Sequence, residues 1–177
     1  MEVFQGRPAD VTGRLEKEIA VYDLLDQLDI PFRRVDHDHA DTMEMCQEID
    51  QALGQDICKN LFLCNRQKTK FYLLLMPGSK PFKTKDLSAQ IGSSRLSFGV
   101  PEDMERLLHL TPGSVTVLGL MYDPDCQVTL LIDQDLYQQT AFGCHPCINT
   151  STVQFSTADL REKLLPALGH PVTLVQL

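Results

Sequence analysis

Between Arg14 and Asp29 the apolar positions Leu15, Ile19, Tyr22, Leu25 and Leu28 fall at three- and four-residue steps, which predicts an amphipathic helix stopped by Pro31. A short strand, Phe32 to Asp36, should follow. Asp41, with Glu44 three positions on, reads as the cap of a second helix over Thr42 to Leu53 that ends at Gly54. The runs Ile57 to Cys64 and Lys70 to Met76, separated by a polar basic turn, read as a β-hairpin. Two short helices are predicted next: Thr84 to Ile91, closed by Gly92, and Pro101 to Leu110, with proline at its first position. Val115 to Leu118, Gln127 to Ile132, Thr140 to Phe142, Thr150 to Phe155 and Val172 to Val175 are rich in strand formers, and a helix from Thr157 to Leu168 precedes the last of them.

Strands and helices interleave irregularly, without the regular alternation of a doubly wound fold. This predicts an α+β class with a mixed sheet of about seven strands flanked by helices. No repeat and no Pro/Gly/Ser-rich linker divides the 177 residues, so they read as a single domain, 1–177.

Composition narrows the function classes. With 43% apolar and 23% charged residues the chain should bury its own core. The opening MEVFQGRPAD has no apolar h-region, and the longest apolar run, Phe71 to Met76, is too short to span a bilayer. A cytoplasmic protein without membrane contact is the expectation, its six cysteines being reduced thiols. The formal charge of −8 argues against general polyanion binding. That charge is uneven, because residues 59–95 hold eight Lys or Arg, among them Arg66, Lys68, Lys70, Lys80, Lys83 and Lys85, against the single acid Asp86. Such a stretch is either a local anion-facing patch or a set of solvated lysines.

The common hydrolase elbow, dinucleotide, P-loop and zinc-protease motifs are all absent. Cys144-His145-Pro146-Cys147 is a C-x-x-C, which could be a redox pair or half a zinc site. Yet it lies between β-rich segments rather than at a helix N-terminus, and no second ligand pair accompanies it. No metal is therefore expected. Gly143 to Asn149 has the composition of a loop shaped to approach a ligand. His37 and His39, in VDHDHAD, read as part of a polar loop capping the next helix. Lys59 and Asn60 open an otherwise apolar strand. Alternation puts Lys59 with Leu61 and Leu63 on one face, where the lysine either snorkels to water or stands as a fixed cation lining a cavity.

The ordered segments VDHDHADTMEM, KNLFLCNRQKTKFYLLLMPGSK, SSRLSFGVPEDMERLLHLTPGSVTVLGL and GCHPCINTSTVQFSTADL resemble the YbaK / prolyl-tRNA synthetase editing-domain family, in particular its free-standing members. The likeness runs from about Glu16 to Leu177, and K-N-L-F-L, R-L-S-F, P-G-S-V-T and H-P-x-x-N-T together make it specific. It implies an α+β fold with a partly barrel-like sheet, and hydrolysis of an amino acid wrongly esterified to tRNA, typically alanine on the proline tRNA. The family's key lysine falls on Lys59 and its neighbouring asparagine on Asn60. The substrate loop falls on Gly143, His145, Pro146 and Asn149, and a threonine at the second helix on Thr42. Cys144 and Cys147 depart from the family's usual residues at the pocket wall, which bears on amino-acid preference more than on reaction type.

An aminoacyl ester is labile, so orienting a water, with donors for the developing oxyanion and help from the neighbouring ribose hydroxyl, would suffice without a triad or cofactor. On this reading Lys59 anchors the terminal nucleotide, His145 mainly shapes its loop, and the basic stretch 59–95 faces the acceptor stem. The partner is mischarged proline tRNA, with prolyl-tRNA synthetase or translation factors as further candidates. The alternatives are a non-catalytic tRNA- or synthetase-binding module, or a deacylase for another small amino acid such as cysteine or serine.

Overall fold

The computed structural model describes all 177 residues. The strands are β1 (Phe4–Gln5), β2 (Arg33–Asp36), β3 (Lys59–Cys64), β4 (Phe71–Met76), β5 (Ser97–Phe98), β6 (Val128–Asp133), β7 (Ala141–Cys144), β8 (Ser151–Ser156) and β9 (Val172–Val175). The helices are α1 (Glu16–Gln27), α2 (Met43–Leu53), α3 (Thr84–Ile91), α4 (Pro101–Leu108) and a short α5 (Gln134–Tyr137). A terminal helical run follows, α6 (Thr157–Asp159) to α7 (Leu165–Leu168), with a π turn at Leu160–Leu164 between them.

The α+β class holds, but the strands form two separate sheets rather than one barrel-like sheet. One is antiparallel, ordered β1-β2-β8-β7; the other is mixed, ordered β5-β3-β4-β6-β9. Thirty-one buried residues make the main core, to which β3 and β4 give Phe62, Leu73 and Leu75, β7 and β8 give Phe142 and Val153, and α1 gives Tyr22. On the other face of the mixed sheet Leu63, Leu74 and Met76 pack under Leu87 of α3. Both faces of β4 are therefore covered, which is why FYLLLM is apolar without alternation. On the antiparallel sheet Val35 packs under Ile49 and Leu53 of α2.

The predicted hairpin forms, with Lys59 opposite Met76 and Cys64 opposite Phe71. Three local expectations differ. Thr42, not Asp41, caps α2, its Oγ1 accepting from the Met45 amide at 3.2 Å. Helix α4 stops at Leu108, two residues early, with His109 left-handed. Val115 to Leu118 is no strand, because from Val117 the chain turns into a 3-10 helix, Val117–Tyr122, whose residues Val117 to Leu120 are all buried. A run without polar alternation gains as much burial in a tight helix as in a strand, so local propensity did not decide it.

Candidate active site

Two cavities adjoin where the sheets approach each other. The inner one, about 180 Å³, is walled by Asn60 at the start of β3, Gly113 and Val115 in the segment after α4, and Cys144 at the end of β7. The outer one, about 560 Å³, lies between α2 and the Gly78–Ser79 turn, with Lys59 on its wall. Ile57, Cys58 and His145 belong to both. Close approach of backbone makes this possible, since a Cβ on Gly143 would sit 2.4 Å from Ile57 Cδ1.

His145 is held from one side. Its Nδ1 lies 2.8 Å from the Ser151 carbonyl oxygen, which only accepts, so Nδ1 carries the proton. The second nitrogen, Nε2, is then unprotonated and makes no hydrogen bond within the protein. His37 is held the same way, its Nδ1 donating to the Asp38 carbonyl oxygen at 2.7 Å and its Nε2 accepting from the Thr152 hydroxyl at 2.9 Å. The two rings are 6.0 Å apart. Burial, helped by repulsion from His37, keeps His145 below the usual histidine range, so it is neutral at pH 7 and can accept a proton.

Lys59 Nζ donates to the Lys80 carbonyl oxygen at 2.7 Å, which leaves two of its three N–H groups for a ligand in the outer cavity. The lysine thus lies on the wall of the outer cavity with its ammonium tied to the Lys80 carbonyl. Asn60 sits one position on and faces the other way, into the inner cavity.

The remaining expected residues are near but otherwise engaged. Asn149 ties two loops together, its Oδ1 accepting from the Ala40 amide at 3.1 Å and its Nδ2 donating to Asp41 at 2.9 Å. Gly113, at φ +88°, passes so close to this clamp that a Cβ would lie 2.9 Å from Asn149 Nδ2. Thr42 spends its hydroxyl on the α2 cap, and Pro146 is buried in the loop without lining either cavity. Gly113, Val115 and Thr152 escaped the residue-level reading, and His37 was read only as part of a capping loop. The P-G-S-V-T motif pointed at the first two.

The basic stretch divides. The turn bearing Arg66, Lys68 and Lys70 lies at the far end of the hairpin from Lys59, about 17–20 Å along the strands. Lys80, Lys83 and Lys85 are at the near end, but Lys80 Nζ is taken by Asp133 at 2.9 Å and Asp135 at 2.8 Å. Lys83 and Lys85 remain exposed there.

All six cysteines are free thiols. Burial pushes Cys144 and Cys147 up to about 12 and Cys58 higher still, which leaves no thiolate at neutral pH for nucleophilic or redox chemistry. No three His, Cys, Asp or Glu side chains converge in a way that could hold a metal, and no helix is long and apolar enough to cross a membrane.

The chain is 31% identical to the prolyl-tRNA editing protein ProX of Acetoanaerobium sticklandii over 163 residues, 92% of this chain and 99% of the relative. It is 28% identical to prolyl-tRNA synthetase associated domain-containing protein 1 of Danio rerio, over 94% of this chain and 88% of that one. Among solved structures, a candidate trans-editing enzyme for prolyl tRNA synthetase has the same fold at TM-score 0.65 and 17% identity, covering 92% of this chain and 98% of that one. The family model of the aminoacyl-tRNA editing domain matches residues 37–163, which include both cavities and every residue on their walls. The chain belongs to the aminoacyl-tRNA editing-domain family.

Proposed function

We propose that this protein is a stand-alone, cytoplasmic deacylase of mischarged proline tRNA, acting on the alanyl ester, with residues 1–177 as one editing domain and no metal or organic cofactor. The observation that carries the reading is the neutral His145 between a small inner cavity and a larger outer one. The aminoacyl group enters the inner cavity and the terminal nucleoside occupies the outer one, which brings the ester carbonyl to their junction. His145 Nε2 accepts a proton from water as the water oxygen bonds to the carbonyl carbon. The acyl–oxygen bond then breaks and the ribose oxygen takes a proton, releasing free amino acid and tRNA.

Lys59 holds the nucleotide by charge-assisted hydrogen bonds, which contribute about 1.5–3 kcal/mol. Lys83 and Lys85 draw in the acceptor stem, while the acidic remainder of the surface limits indiscriminate RNA binding. Prolyl-tRNA synthetase is a further candidate partner, since a trans-acting editor must meet its product. Selection of alanine over proline is proposed to be steric, the small inner cavity walled by Ile57 and Val115 accepting a methyl group more readily than a pyrrolidine ring.

The test is single-turnover hydrolysis of alanyl-, seryl-, cysteinyl- and prolyl-esters on the same tRNA, with and without the protein. Selective loss of the alanyl ester is expected. Equal rates for alanyl and prolyl esters would refute the size sieve, and no acceleration of any ester would reduce the protein to a binding module.

A further inference from the structure

The side chain of Asn60 carries a buried acceptor that nothing satisfies. Its Oδ1 has no hydrogen-bond partner in the protein, whereas its Nδ2 lies 3.3 Å from both the Cys58 carbonyl oxygen and Cys58 Sγ. The amide orientation follows from this contact. Turned over, the Oδ1 would face a carbonyl oxygen, two acceptors against each other. A buried acceptor left unpaired is costly and rare in native proteins, so this one calls for a partner that arrives from outside. Asn60 lines the inner cavity together with Ile57, Gly113, Val115, the thiols of Cys58 and Cys144, which burial keeps protonated, and His145, whose free Nε2 the deacylase reading reserves for water.

We infer that Asn60 Oδ1 receives an N–H of the substrate's α-amino group, so that the inner cavity reads the amine of the aminoacyl ester while its walls read the size of the side chain. This rests on the deacylase reading above. With the acyl group in the inner cavity and the nucleoside in the outer one, the α-amino group is the single hydrogen-bond donor that an alanyl group brings. An amine has an N–H to give in either charge state, and a neutral amide oxygen accepts it without a carboxylate having to be buried beside Ile57 and Val115. The strand explains the division of labour, because alternation sends Lys59 to the nucleotide and Asn60 to the amine from adjacent positions of β3. A site built in this way should discriminate against an acyl group lacking the amine, since such a group leaves the Asn60 oxygen buried and unpaired.

The experiment compares the alanyl ester with the propionyl ester, which has hydrogen in place of the amine, on the same tRNA. Each single-turnover rate is divided by the ester's own uncatalysed rate. The wild type should favour alanyl by roughly 10- to 100-fold. Asn60→Ala should bring that ratio to within about threefold of unity, and Asn60→Asp, which keeps an acceptor in place, should restore a preference for the amine. A wild-type ratio near unity overturns the inference. So does a ratio that survives in Asn60→Ala with both esters slowed alike, the result a merely structural asparagine would give. A loss confined to the seryl ester overturns it in favour of a side-chain hydroxyl.

Binding of the non-hydrolysable 3′-alanylamino and 3′-propionylamino analogues of adenosine gives a second readout, independent of turnover. If no ester is hydrolysed, the deacylase reading fails, and the binding ratio of these analogues still decides the role of Asn60.

Discussion

Lys59 and Lys80 are joined by a 2.7 Å hydrogen bond from the side chain of the first to the carbonyl oxygen of the second, while the side chain of Lys80 turns away to Asp133 and Asp135. One lysine therefore faces a cavity and the other secures the turn that steadies it. Their substitutions should separate. Lys59→Ala should slow single-turnover deacylation by one to two decades with little change in melting temperature. Lys80→Ala leaves Asp133, which is 0% exposed, without its cation, and should cost about 3 kcal/mol of stability. Chemical denaturation and single-turnover kinetics on both variants check this, and a Lys59→Ala protein with wild-type turnover removes that lysine from the mechanism.

The pH dependence follows from His145, whose protonation burial opposes. The unfolded chain takes up this proton near pH 6.5, the folded one only at lower pH. Between the two values the unfolded state binds more protons, so the contribution to stability is complete above about 6.5 and declines as pH falls below it. The neutral ring is also the proton acceptor. Deacylation should be flat through neutrality with an acidic limb lying below 6.5, and His145→Ala should lose the limb together with about two decades of rate. A limb centred above 6.5 would contradict the assignment.

Thiol accessibility divides the cysteines two against four. Cys46 and Cys126 are exposed, whereas Cys58, Cys64, Cys144 and Cys147 are buried. Brief alkylation of the native protein should add two groups by mass spectrometry, and because Cys46 lies on the wall of the outer cavity, deacylation should survive treatment fully only in a Cys46→Ser protein. The double variant Cys144→Ala/Cys147→Ala should stay active, at reduced stability for the volume removed from the core. Loss of activity in proportion to modification of Cys144 would show that thiol to be required.

The clamp between Asn149, Asp41 and Gly113 predicts a backbone effect. Gly113→Ala must hold an L residue at φ +88° and push its Cβ against Asn149, so it should destabilise the protein by roughly 1–2 kcal/mol or more. Asn149→Asp puts a second carboxylate against Asp41 and should be worse than Asn149→Ala at neutral pH. Thermal melts of the three variants test the ranking.

Binding to tRNA should depend on Lys83 and Lys85 more than on the distant turn. Charge reversal at both should weaken affinity and reduce the salt slope by about two, whereas reversal at Arg66 and Lys68 should have the smaller effect. Equal losses from the two pairs would mean that RNA runs the length of the hairpin.

What the chain determines locally it determines well. Helices α1 to α4 and the β3–β4 hairpin could be read because apolar spacing, caps and turn residues act over a few positions. Lys59, Asn60 and His145 stood out because polar residues at the head of an apolar strand and within a Gly/Pro-bounded loop break the local pattern. The tertiary structure decided the rest through partners far apart in sequence. Lys80 is neutralised by carboxylates 53 and 55 residues away, and Asn149 is clamped to Asp41 across 108. The tautomer of His145 depends on which backbone oxygen β8 presents to it. Val117–Tyr122 became helical because the core around it, not its β-branched residues, set its shape. Whether a lysine is free or paired, and whether an asparagine oxygen is satisfied, depends on which elements pack together, and residue type and spacing do not contain that information.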